Sequence, residues 1–207
     1  ILLMVVIALS VFVAATGCDK QGDTGEQIVR IASVLPLTGA ASSMGQDMRQ
    51  GQELAAEYFN TLPERKRDLQ VTFKVSKSSP AEGTKAVQSL LAQGHNAFVV
   101  VLSTVCMAVK PILVENGAFA FLDVSHPGVT NPPNPLIFRH SQTAEAEAEK
   151  IVPAAIAAPG TQLLVVFYLN DDYGQAFVKT IHSLAAGQVQ IADHAYESTT
   201  TDFRTLV

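Results

Sequence analysis

From residue 28 onward, short apolar runs rich in β-branched residues alternate with longer stretches whose apolar positions recur every three or four residues. That alternation predicts strand–helix units around a parallel sheet. Residues 28–35 (IVRIASVL) make the first expected strand. In residues 44–62, Met48, Leu54, Ala55, Tyr58, Phe59 and Leu62 recur at helical spacing and predict one buried face. A strand is expected over residues 69–77, and Ser79-Pro80-Ala81-Glu82 reads as a capping box with proline at the first helical position. The helix it opens runs through Val87, Leu90 and Leu91 and stops at Gly94. Residues 97–102 (AFVVVL) are apolar without a break, as in a strand buried on both faces of a parallel sheet. A helix over 107–116, closed by Gly117, and a strand over 119–124 follow. The loop Asn131-Pro132-Pro133-Asn134-Pro135 can continue neither element, and we expect the chain to cross there between two lobes. Beyond it the pattern predicts a helix at 144–157, a strand at 162–168, a helix at 173–186 stopped by Gly187, a strand at 188–196, and the start of a helix at 201–207. The expected class is α/β with two lobes, each a parallel sheet flanked by helices. Residues 28–141 form the first lobe, and residues 142–207 begin a second that is incomplete, since two strands are too few to cover a sheet on both faces.

The first 16 residues (ILLMVVIALSVFVAAT) carry no charge and end in small residues before Cys18. This run is shorter than the ~20 residues of a spanning helix and close to the apolar core of a signal peptide. Ala15-Thr16-Gly17-Cys18 resembles the lipobox of bacterial lipoproteins, with alanine in place of the commoner leucine three before the cysteine. Residues 1–17 are therefore expected to be a signal peptide and Cys18 the lipidated first residue of the mature chain. An uncleaved membrane anchor with an incidental cysteine is the alternative, and length decides against it. Residues 18–27 are polar, contain glycine, and read as a tether. With Cys18 assigned to a lipid, Cys106 is left alone, so no disulfide is expected and Cys106 reads as a small buried hydrophobe.

Composition narrows the function. A net charge of −5, with no basic run beyond Glu64-Arg65-Lys66-Arg67, argues against nucleic acid as a partner. The loop Gly39-Ala40-Ala41-Ser42-Ser43-Met44-Gly45 has the strand-to-helix context of a phosphate loop but matches neither G-x-G-x-x-G nor G-x-x-x-x-G-K-[ST]. His95, His126, His140, His182 and His194 show no metal spacing and read as surface or loop residues. No G-x-S-x-G elbow is present, and Asp171-Asp172 sits where a helix needs its N-cap. No metal, cofactor or catalytic residue is expected. In an open α/β sheet, ligands gather beyond the carboxyl ends of the strands. Three segments offer hydroxyls and backbone donors there: residues 37–44, Ser103-Thr104 and Ser125-His126. They suit the carboxylate of a small zwitterion, although helix capping alone would explain the same residues.

The chain over residues 28–207 resembles the type I periplasmic solute-binding proteins of ABC transporters, and among them the leucine/isoleucine/valine-type binders. The resemblance is carried by residues 31–39 (IASVLPLTG), Met44-Gly45, Ser103-Thr104 with Lys110-Pro111 and Glu115-Asn116-Gly117, Phe138-Arg139, residues 170–174 (NDDYG) and Thr201-Asp202-Phe203. It implies a lipid-anchored binding protein of the cell envelope that closes by a hinge around an amino acid or amide-like solute and delivers it to a membrane permease. It also implies that Ser103 and Thr104 hold the ligand carboxylate, that Ser125 and His126 complete that subsite, that Tyr173 touches the ligand from the second lobe, and that Met44 lies against its side chain. The family's acidic partner for the ligand ammonium falls beyond Val207. From that, the 207-residue chain is expected to bind weakly or to fold only in its first lobe. Val99-Val100-Val101 where small residues are common, and the bulk of His126, leave the solute's identity open. A sensory ectodomain of a receptor or envelope regulator is the alternative for the same fold; a hydrolase would need an activated nucleophile that the sequence does not offer.

Overall fold

The computed structural model describes residues 28–204. The expected signal peptide, Cys18 and the tether lie outside the described residues. The first eight elements are β1 (Val29–Leu35), α1 (Ser42–Thr61), β2 (Leu69–Val75), α2 (Pro80–Ala92), β3 (Ala97–Val101), α3 (Ser103–Glu115), β4 (Phe119–Asp123) and β5 (Ile137–Arg139). Their strands form one parallel sheet in the order β2-β1-β3-β4-β5. The chain steps outward from β1 to β2 and then back across β1 to β3. This order makes a topological switch between β1 and β3, with a crevice at their carboxyl ends. Next come α4 (Ala144–Ala157), β6 (Leu163–Leu169), α5 (Asp172–Ala185) and β7 (Gln190–Tyr196), in which β6 and β7 pair in parallel as a separate two-stranded sheet.

Alternation along the strands explains where the core lies. Ala32 and Val34 of β1, Phe98 and Val100 of β3, and Ala120 and Leu122 of β4 point to the face covered by α2 and α3, where they pack with Val87, Leu90, Val105, Val109 and Leu113. On the other face α1 covers Leu35, Val101 and the neighbouring Phe73 and Val75 through Met48. That single helix does not reach the far strands, so Phe121 and Phe138 remain about two-fifths exposed, clustered with Phe119. The smaller sheet repeats the arrangement. α4 and α5 bury Ala148, Val152, Ile181 and Ala185 against one face, while Leu163, Val165 and Phe167 on the other are about half exposed.

Several expectations are corrected. α1 does not bury all the positions assigned to it: Leu54 and Tyr58 are about two-thirds exposed. Counted from Met48 at about 100° per residue, Leu54 stands about 120° away and Tyr58 about 80° away on the same side of the helix, and Ala55 and Phe59 are exposed as well, so of the six only Met48 and Leu62 are half-buried. α3 begins at Ser103, four residues before the expected start at 107, because β3 turns into it with no intervening loop. The proline cluster is not the crossing: it follows a short 3-10 turn (Pro127–Val129) and leads into β5, which pairs with β4 in the first sheet. The chain leaves that sheet only after Arg139. Residues 201–203 carry no helix. The capping box is half formed, since Ser79 Oγ accepts from the Glu82 N–H while the Glu82 carboxylate turns to Lys85. His95, read as a surface or loop residue, lies in the loop before β3 but is buried there, and its Nδ1 has no hydrogen-bond partner.

Two measurements check these packing claims. A Cβ at Gly45, in the first turn of α1, would collide with the Pro36 carbonyl, whereas a Cβ at Gly51 meets nothing within 4 Å. Gly45→Ala is expected to lower unfolding stability by about 1–3 kcal/mol through overpacking, and Gly51→Ala to raise it by up to about 1 kcal/mol through helix propensity. Denaturant titration separates the two. Burial, with a smaller push from Arg30, lowers the His95 pKa below its ordinary value. The unfolded chain therefore takes up the proton first on acidification, and stability falls as pH drops through about 6.5. His95→Gln should flatten the loss over that range in melts at several pH values; an unchanged slope would contradict the burial argument.

Candidate functional site

At the carboxyl ends of β1, β3 and β4 the chain leaves the sheet in three neighbouring turns. The turn after β3 is the tightest. Leu102 takes φ 77 and ψ 132, a region that non-glycine residues rarely occupy. It is held there from both sides: its N–H donates to the Asp123 carbonyl at 3.3 Å, and its carbonyl accepts from the Cys106 N–H at 2.8 Å. Its side chain packs against both core clusters of the larger sheet. The bond from Cys106 is the first of α3, so the amides of residues 103–105 precede the helical ladder and no side chain caps them. Those amides and the helix dipole give the rim a positive edge. The Ser103 side chain is buried beside them.

Around this turn lies a cleft of about 340 Å³. Four of the six expected site residues line it: Met44 from the first turn of α1, Ser103, Ser125 after β4, and Tyr173 from α5. The cleft therefore joins the ends of the larger sheet to the first turn of a helix that covers the smaller one. The other two expected residues lie elsewhere. Thr104 is not in its wall, because α3 turns it away from Ser103. His126 caps the 3-10 turn, its Nδ1 accepting from the Gly128 N–H at 3.1 Å, and it faces a larger cavity of about 860 Å³ shared with Glu145, Asp172 and Lys179. That cavity runs along α5, away from the strand ends, and lacks the free amides of α3.

Three polar residues that sequence reasoning did not place in the site also line the cleft: Asp123, Ser141 and Asp171. Asp171 acts as the expected N-cap, its Oδ1 accepting from the Gly174 N–H at 2.8 Å. Asp123 ends β4, and the Ser141 hydroxyl donates to its Oδ1. A charge closing an otherwise apolar strand (FAFLD) was the available signal for Asp123. Ser141 had none, since its position depends on where the chain leaves the sheet. Tyr173 donates its hydroxyl to Glu147 Oε2 at 2.8 Å. Burial first, and Glu147 second, push its phenol up to about 12, so at neutral pH it stays a protonated donor with its ring at the cleft.

Cys106 is fully buried, its thiol donates to the Val100 carbonyl at 3.3 Å, and burial drives its pKa far above the thiol range, so it makes no nucleophile. Among the described residues no group of three or more His, Cys, Asp or Glu is placed to hold a metal ion. No helix of the described residues is long and apolar enough to cross a membrane.

Comparison with known proteins bears on the family and the fold. The family model described as periplasmic binding protein matches residues 28–207. Among solved structures, an amino acid ABC transporter substrate-binding protein from Pseudomonas fluorescens superposes with a TM-score of 0.73 at 20% identity, over 86% of this chain and 49% of that one. A leucine-binding protein from Thermotoga maritima gives 0.74 at 23% identity, over 86% and 51%. A solute-binding protein of an R. palustris ABC transporter, solved with benzoate, gives 0.77 at 19% identity, again over 86% and 51%. The chain spans about half the length of these structures. No curated protein matches it by sequence.

Proposed function

The chain belongs to the periplasmic binding protein family, and from that premise we propose that it captures an amino acid or a similar small solute outside the cytoplasm for an ABC transporter and leaves it chemically unchanged. The observation that carries this reading is the cleft itself, where Ser103, Ser125 and the uncapped amides of α3 face Tyr173 from α5. Donors at a helix N-terminus suit a carboxylate through charge-assisted hydrogen bonds. The aromatic ring opposite gives the solute an apolar wall. In this reading residues 28–141 are one lobe and residues 142–207 belong to a second. Contacts from both favour the closed state, which is how a binding protein couples capture to hinge motion. A permease receives the solute, and Cys18 carries the lipid that holds the protein at the membrane.

Isothermal titration of the full-length protein against the standard amino acids tests the site. Ser103→Ala is expected to weaken the best ligand by roughly 10- to 100-fold, the equivalent of about 1.5–3 kcal/mol for a hydrogen bond to a charged group. Tyr173→Ala should also weaken it, through the second wall. Unchanged affinity in both variants would overturn the assignment. Separately, Cys18→Ala should move the protein from the membrane fraction to the soluble fraction on expression in bacteria, and an unchanged distribution would argue against lipid anchoring.

A further inference from the structure

We propose that Asp123 selects for solutes that carry an amino group, an inference that rests on solute binding at this same cleft. Asp123 closes a strand whose other four residues are apolar, and its side chain points away from the core of Ala120 and Leu122, into the mouth of the cleft. It is about one-fifth exposed, so most of its water is already removed in the open site. Its protein partners are few. The Ser141 hydroxyl donates to Oδ1, and His140 Nδ1 stands 3.6 Å from the same oxygen on a ring that is largely in solvent. Among the described residues no lysine or arginine pairs with it, and no donor reaches Oδ2. An ionised carboxylate is an acceptor with room for about four hydrogen bonds, so the second oxygen is left for a donor brought by the solute.

The other acids nearby are already engaged. Asp171 caps α5, and Glu147 accepts from Tyr173. Of the two carboxylates that line the cleft, Asp171 is tied to the opening turn of α5, while Asp123 stands at the end of the strand paired with the one that leads to Ser103. The α3 amides and Ser103 supply donors to the cleft, and Asp123, at the end of the neighbouring strand, supplies an acceptor. A zwitterion satisfies both. A solute with a carboxylate alone would shut Asp123 away from water with no donor in place, and would bring a second negative charge beside it. Asp123 also borders an apolar groove of about 430 Å³ beside α1, walled by Ile31, Met48, Val99 and Phe121, so an amino group held there leaves apolar surface for the rest of the solute.

The test is calorimetric titration of the full-length protein with each standard amino acid beside the carboxylate that lacks its amino group. In the wild type the best-bound amino acid should exceed its deaminated partner by about tenfold or more, as expected for a charge-assisted hydrogen bond. Asp123→Asn should erase most of that ratio by weakening the amino acid while leaving the deaminated acid unchanged or tighter. A ratio that survives in Asp123→Asn, or an equal loss for both members of the pair, overturns the proposal while the solute-binding reading stands. A wild type that holds amino acid and deaminated acid equally overturns it even if the variant does not fold. A wild type that binds neither member of any pair sinks the amino-acid reading of the cleft, and this inference with it.

Discussion

The architecture of the cleft depends on the turn at Leu102. A parallel strand that passes straight into a helix must reverse its backbone within one residue, and here a leucine does so at positive φ. Such a conformation costs of the order of 1–3 kcal/mol and persists only where the surroundings determine it. They do so here: β4 fixes the Leu102 N–H, the first bond of α3 fixes its carbonyl, and two core clusters hold its side chain. A loop of ordinary length would let the amides of residues 103–105 drift and find water or side-chain caps. Without a loop, they stay aligned with the end of β3, beside the end of β4 and Asp123. Strain in the backbone is converted into order at the rim.

The two sheets share a second device. In each, the helix following the first strand packs so closely on that strand's end that only glycine fits in its opening turn: Gly45 against the Pro36 carbonyl and Gly174 against that of Leu169. Close approach brings Met44 and Tyr173, each next to one of these glycines in sequence, to the mouth of the cleft. On the faces away from α2 and α3 and from α4 and α5, Phe121 and Phe138, clustered with Phe119, and the row of Leu163, Val165 and Phe167 are partly open.

Much of this was legible in the sequence, because period-two and period-three-to-four patterns are local. Every strand except β5 was expected, α4 falls on its predicted residues, and the N-caps Ser79 and Asp171 act as read. What was missed is long-range. β5 is three residues long and follows prolines, so no local pattern announces it; only pairing with β4 makes it a strand. The early start of α3 was hidden because Ser103-Thr104-Val105 has no strong helix former and its cap is a leucine. Ser103, Ser125, Met44 and Tyr173 converge because strand order places their turns together, while Thr104 and His126, adjacent in sequence to two of them, do not follow. One residue along a helix is about 100° of rotation, enough to move a hydroxyl out of the site. Asp123 and Ser141 needed the sheet before their meeting could be seen.

The most direct measurement of the central claim is hydrogen exchange at the amides of residues 103–105, with and without a saturating amino acid. If the solute's carboxylate sits on these donors, their exchange slows on binding while the amides in the middle of α3 stay as they were. Exchange that is the same in both states, in a protein shown to have bound the amino acid, would place the solute elsewhere and contradict the account.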